Sequence, residues 1–595
     1  MTTETPTGST SALPPSPPGK RRPPRVFEPT FSGPGVAVGA IFASFSLEPS
    51  LLPRIALVQG IATGVSLLVG YGLGSAGHAI WNYLGVPNLR GRPQQIVTGI
   101  LLGTISLGTA RAIWRWVGWQ NDIRQLMGMD ALSPSAWPIV IGATAVVAAI
   151  VLVTSRSLRL LFRTMGNRLD RWLPRRLAIT LSSTGLVVLL WLVFSGLLVQ
   201  GFFTASNALF STRDTGDKPG VSQPSSPLLS GSPQSAAAWD SLGREGRAFI
   251  SYVPTVDEIN AYSGGGALEP IRVYVGLQSA ATLQDRADLL LSELIRTGAF
   301  EREALLLATT TGTGFIDPIG VDPVDFIFNG DVAIAGAQYS YLPSWISLLA
   351  DRQVTRDTSL AMFRTVHDYW STLPQGHRPR LFLYGLSLGS YGVESVLTSA
   401  NIINEPIDGA VMVGPTFANP LRTDLIASRQ SGSTPWLPIV EDGRTVRFTG
   451  EQGSLDQPAG RWGPTRIAYL QHGSDPIGFF DPSIAWREPA WLSGNDRAPD
   501  VSSATDWFPF VTMWQTLLDM PSAGSVPRGY GHLYSVSANL DTWVGVINPE
   551  GWMGSDTARL GDVLQSRDVA RRAWLESIHN SPGPLPPVTD PGRLA

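Results

Sequence analysis

The chain has 595 residues, several times the usual single-domain length, and therefore holds at least two structural units. It is 43% hydrophobic and only 15% charged, too apolar for a disordered chain and poor in charge for a wholly soluble one, so a membrane portion is expected. A net charge of −3 offers no basic face for nucleic acid; the lack of cysteine excludes thiol nucleophiles, and the six histidines lack metal-binding helix spacing, so no cofactor or metal is expected.

Residues 1–25, rich in Pro, Ser and Thr with a basic end, read as a disordered tail. A membrane domain of about five helices is expected over 26–204, with apolar stretches at 33–47, 55–84, 96–118, 136–154 and 177–204. The first is short enough to leave open whether it spans. Gly60 and Gly64, Gly70 and Gly74, and Gly99 and Gly103 sit four apart, a spacing that lets helices pack closely. Arg156, Arg159, Arg163, Arg168, Arg171, Arg175 and Arg176 mark the loop before the fifth stretch as cytoplasmic, which delivers everything after residue 204 to the outer side. His78, near Trp81 and Tyr83, reads as an interfacial residue.

Residues 205–240 read as a linker, and 241–580 as a domain in which short apolar strands alternate with helices around a mostly parallel sheet. Strands are expected at Ile271–Val275, Ala304–Ala308, Val332–Ala335, Leu381–Tyr384, Ala410–Val413 and Ile467–Leu470. Helices are expected at Leu283–Arg296, at Ser344–Leu373 with a break, and at Tyr391–Ala400. The last residues, 581–595, form a Pro-rich tail expected to be disordered.

The informative segment is Leu381–Ser395, where a strand runs into Gly385-Leu386-Ser387-Leu388-Gly389 and then into a helix. That is the setting of a nucleophile elbow: the glycines permit a tight turn that projects Ser387 at the carboxyl edge of the sheet. A serine nucleophile needs a base oriented by an acid, which in this arrangement follow it in the order acid, then histidine. Asp475, on a turn just past Ile467–Leu470, is the preferred acid, with Asp481 and Asp506 as competitors. His532, in a glycine-rich loop, is preferred as base over His579, which ends a helix, while His472 reads as structural or pocket-lining. The oxyanion of acyl transfer would be met by the Leu388 amide and by an amide of the loop 308–314, where Thr313 is the choice.

These stretches, with Pro49–Arg54, Trp119–Asp122, Pro270–Leu277, Tyr339–Ser344, Gln471–Pro476 and Gly531-His532, resemble the membrane-anchored α/β-hydrolases of actinobacteria and other bacteria. Leu386 and Gly473 stand where that family often has Glu and Ala. The resemblance implies an α/β-hydrolase fold, a mostly parallel sheet with helices on both faces, preceded by an all-α transmembrane helix bundle. It also implies an outward-facing serine esterase in the plasma membrane, with Ser387, Asp475 and His532 as triad. An acyl ester of a membrane lipid or envelope component, by analogy an aminoacyl lipid, is the expected substrate and the lipid bilayer the expected partner. An acyltransferase using the same residues, or a non-catalytic scaffold or lipid-transport accessory, are the alternatives; the sequence does not address the oligomeric state.

Overall fold

The computed structural model describes residues 31–580, apart from most of 170–197 and positions 88, 219, 351, 400, 401, 403, 404, 452, 454, 494 and 495. Both terminal tails and most of the fifth apolar stretch therefore lie outside the described residues.

Among the described residues, three helices are long and apolar enough to cross a membrane: Ala56–Tyr83, Arg92–Leu126 and Pro134–Leu158, the last continuing to Leu169. These fit a membrane protein. A fourth apolar helix, Gly33–Ser46, has 14 residues, short of the roughly 20 needed to span. It lies along Ala56–Tyr83, where a Cβ on Gly70 would fall 2.7 Å from the Val38 carbonyl oxygen and one on Gly74 2.6 Å from that of Pro34. Gly60 and Gly64 meet the third long helix in the same way, at Val140 and Val147. Gly99 and Gly103 have open space around them, so the packing expected there is not formed among the described residues. Their helix instead turns Ile96, Ile100, Leu101 and Leu107 outward, an apolar face suited to lipid. His78 lies on an exposed turn with Asn82.

The C-terminal half is built on seven parallel strands in the order β1-β3-β2-β4-β5-β7-β6. They are β1 Ile271–Val275, β2 Ala304–Thr309, β3 Val332–Ala337, β4 Arg380–Leu386, β5 Gly409–Val413, β6 Val446–Thr449 and β7 Arg466–Leu470. Alternate side chains feed two cores. Leu306, Ile334, Phe382, Val411 and Ala468 pack on one face with helices Pro318–Ile327 and Val536–Ile547. Leu305, Ala333, Leu381, Ala410 and Tyr469 pack on the other with Leu283–Arg296, Arg352–Thr372 and Leu388–Leu397. Burial on both sides explains why these strands read as continuous apolar runs. The expected strand positions agree to within one or two residues; β6, at the sheet edge, is an addition.

The two halves are joined by more than the chain. Helix Leu198–Asp214 leads into a segment whose Ser230 amide donates to the Arg272 carbonyl of β1 at 3.0 Å. The corner before Ala56–Tyr83 places Leu51 and Leu52 with Ile123 and Met127 against Phe479, Ile484, Trp491, Ala523 and Val526 of the sheet domain, in one buried cluster. Phe45 stacks on Phe508 with ring centroids 4.2 Å apart.

Candidate active site

β4 sits mid-sheet, and the backbone reverses at its end into helix Leu388–Leu397. The reversal forces Ser387 to φ 56° and ψ −123°, a region that a residue with a side chain occupies only under constraint. Neighbouring backbone supplies that constraint: the Ser387 amide donates to the Val413 carbonyl at 2.9 Å, and the Ser387 carbonyl accepts from the Ser390 amide at 2.9 Å. A Cβ at Gly385 would lie 2.4 Å from the Gly389 oxygen, and one at Gly389 would lie 2.4 Å from the Thr309 oxygen. Glycine is thus required at both positions by contact with main chain that cannot rotate away. Ser387 is 5% exposed.

Asp475 lies just past β7, the strand beside β5, and caps the short turn that follows, its Oδ1 accepting from the Ile477 amide at 2.9 Å. Its Oδ2 faces His532 Nδ1 at 2.6 Å and accepts from the Tyr534 hydroxyl at 3.0 Å. Burial first, and then the Asp475 carboxylate, push the Tyr534 phenol well above its ordinary pKa, so it remains a donor to that carboxylate. The competing acids are placed elsewhere: Asp481 caps its own turn through the Ser483 amide, and Asp506 is exposed. His579 lies in the last turn of helix Gly554–Asn580.

The His532 ring lies over Gly414, where a Cβ would come within 2.7 Å of its Cε1. Gly414 follows Val413, whose carbonyl holds the Ser387 amide, so the dipeptide at the end of β5 underlies both the serine turn and the imidazole. With Nδ1 facing a carboxylate, the proton belongs on Nδ1, leaving Nε2 as the basic nitrogen. Nε2 is buried and makes no hydrogen bond, to Ser387 Oγ or to any other described group. Such contacts are often long without substrate and tighten when it binds.

Leu388 is fully buried at the first position of its helix, where amides have no partner inside the helix. In the loop after β2, Thr309 and Thr310 make the contact with Gly389, while the Thr313 carbonyl accepts from Gln338 Nε2 at 3.2 Å, at the end of β3. Thr313 thus belongs to the elbow's neighbouring loop but is not the residue of it that touches the elbow glycine. Tyr339, Leu348, Tyr391 and Phe417 pack around Leu388, giving the elbow an apolar surround. A cavity of about 30 Å³ behind it, lined by Leu307, Thr309, Tyr339 and Ser359 among others, does not reach Ser387. No group of residues suited to hold a metal ion occurs among the described residues.

Residues 271–560 match the family model described as an alpha/beta-hydrolase family, and residues 47–254 match the one described as that family's N-terminus. The chain belongs to this alpha/beta-hydrolase family. No match was found among curated proteins. Within this member of the alpha/beta-hydrolase family, sequence reasoning missed Tyr534 and Gly414. Tyr534 carried a usable signal, since it stands two residues past the histidine and carries a polar tip; Gly414 carried none, because only the pairing of β4 with β5 brings it under the ring.

Proposed function

We propose that the protein is an integral-membrane serine hydrolase whose site is Ser387, His532 and Asp475. The observation that carries this reading is the Asp475–His532 contact at 2.6 Å above Gly414, beside a serine held at φ 56° by the same β5 terminus. His532 Nε2 takes the Ser387 proton as the oxygen attacks an ester carbonyl, and Asp475 keeps the imidazole oriented and stabilises the imidazolium. The Leu388 amide and an amide of the loop after β2, Thr313 among the candidates, meet the oxyanion. The alcohol leaves with the proton from His532, and water, activated by the same nitrogen, releases the acid.

The substrate class proposed is an ester of a membrane lipid or envelope component, aminoacyl lipids included, since the site is carried on a helical membrane region. The outer side is favoured because the sheet domain packs at the helix ends bearing Leu51, Leu52, Ile123 and Met127, opposite the Arg-rich end from Arg156 onward.

The test is fluorophosphonate labelling of the full chain in native membranes, with a lipid inventory of cells carrying wild type or Ser387→Ala. Labelling that disappears in Ser387→Ala, with an ester lipid accumulating, supports the reading. A folded wild-type chain that takes no label overturns it. Transfer of the acyl group to an added lipid alcohol in place of water would make the protein an acyltransferase.

A further inference from the structure

A second histidine–carboxylate pair lies directly behind the first. Both backbone polar groups of Gly531, immediately before His532, are fastened to the loop that carries Asp475. The Gly531 amide donates to Ser474 Oγ at 3.0 Å, and the Gly531 carbonyl faces His472 Nδ1 at 2.9 Å. Ser474 is itself fixed, its amide and hydroxyl donating to Asp500 Oδ2 at 2.9 and 2.7 Å. His472 Nε2 faces Glu451 Oε1 at 2.9 Å, and Glu451 also accepts from the Ser535 amide at 3.0 Å and the Ser535 hydroxyl at 2.5 Å. The His472 ring is buried and stacks on Tyr534, centroids 4.1 Å apart.

The two nitrogens of His472 therefore meet only acceptors, a peptide carbonyl and a carboxylate. A neutral imidazole has one N–H and can satisfy one of them; an imidazolium satisfies both. Resting on the assignment of His532 as the base, we propose that His472, held as an imidazolium by Glu451, is a positioning residue that sets the His532 loop over the elbow. Glu451, Asp500 and Tyr534 are the titratable groups facing this ring, with Asp541 behind Glu451. Burial alone would lower the His472 pKa, but the hydrogen bond and charge of Glu451, then Asp500 and the Gly531 carbonyl, raise it above the ordinary value. Burial likewise works to raise Glu451, and the His472 and Ser535 contacts outweigh it and lower it. Both directions favour the ion pair.

Loss of the His472 proton leaves a lone pair facing either Glu451 or the Gly531 carbonyl, and the base loop loosens. The experiment follows the rate of fluorophosphonate labelling of Ser387 in the full chain from neutral to strongly alkaline pH. Wild type should lose rate on the alkaline side. Glu451→Gln should abolish that loss, because without the carboxylate charge His472 stays neutral across the range and has no second proton to lose. His472→Phe, which keeps the stacking but loses both bonds, should label about 10–100-fold more slowly across the range, the cost of a small misplacement of a catalytic group. Superimposable pH profiles for wild type and Glu451→Gln, each with an unchanged unfolding midpoint, would overturn the positioning role. Failure of the hydrolase reading looks different: wild type would not label, or Ser387→Ala would label equally well.

Discussion

The Arg54 guanidinium and the Asp519 carboxylate, 465 positions apart in the chain, meet at 2.6 Å with neither side chain exposed. Around them the Leu52 amide donates to Asp519 at 3.4 Å, the Arg54 amide donates to Gln120 at 2.8 Å, and Gln515 Nε2 donates to the Ser46 and Glu48 carbonyls at 3.2 and 3.0 Å. Helix Val511–Asp519 of the sheet domain is thereby tied to the helical region. Removing one partner strands a buried charge, so Arg54→Met or Asp519→Asn should cost about 3–5 kcal/mol, while replacing both with apolar residues should recover most of it. Thermal unfolding in detergent reads the cycle; a double variant no more stable than either single one would contradict it.

Asp475→Asn should leave substrate affinity nearly unchanged and lower kcat by roughly 10⁴, since an amide no longer enforces the Nδ1–H tautomer of His532. Tyr534→Phe removes one donor to the same carboxylate, and a hydrogen bond to a charged group is worth about 1.5–3 kcal/mol, so a fall of about tenfold or more in kcat is expected. Steady-state kinetics on a soluble ester separate the two effects. Equal losses from both variants would mean that Asp475 acts mainly through Tyr534.

Two glycine pairs with the same spacing should respond oppositely. Gly389→Ala pushes a methyl group to 2.4 Å from the Thr309 oxygen and should cost about 1–3 kcal/mol together with activity. Gly99→Ala and Gly103→Ala meet open space, and should lie within about 1 kcal/mol of wild type, on the stabilising side for a helix interior. Unfolding midpoints of the three variants check this.

Glu293 holds the start of the sheet domain to helix Leu283–Arg296. It accepts from the Ala236 amide and the Ser235 hydroxyl at 2.8 and 2.7 Å, and from Arg296 Nε and Nη2, each at 2.8 Å. Burial acts to raise its pKa, but the Arg296, Ser235 and Ala236 hydrogen bonds outweigh that and lower it. A carboxyl whose folded pKa is depressed contributes stability that is present above its unfolded pKa and lost as pH falls through the folded one. Protection against hydrogen exchange in residues 230–236, relative to the free-chain rate at each pH, should therefore fall at acid pH, and Glu293→Gln should lower that protection at every pH while costing about 1–3 kcal/mol.

Six of the seven strands were legible because burial on both faces leaves a short, mostly apolar run, too brief for a buried helix and recurring between amphipathic stretches. β6 was hidden because it has only four residues, Val446–Thr449, one of them Arg447, whose guanidinium donates to the Gly443 carbonyl at 2.9 Å and lies over the Trp462 ring; the longer β1 stayed legible around Arg272. The Ser387 turn was legible because its glycines are required by backbone contact. The candidate acid and the candidate base were ranked by order and by elimination. What surrounds them could not: Glu451 and Asp500 reach the His472–Asp475 loop from segments 21 and 26 residues away, distances that carry no pattern. Thr313 was chosen for its glycine neighbours, yet those glycines serve other contacts, Gly312 against the Leu342–Ser344 main chain and Gly314 against Tyr274 and Gln338.

The corner at Leu51 and Leu52 lies in the same buried cluster as Ala523 and Val526, and Leu52 borders Gly531. A reactive head on a slack tether could swing over a lipid sheet and dip to any depth. On the proposed reading, membrane helices fixed to the sheet domain in this way would set height and tilt, and the distance of a scissile bond below the water boundary would become a selection rule. Lipids that differ only in how far their ester sits from the glycerol would be sorted by that geometry before any side chain touched them.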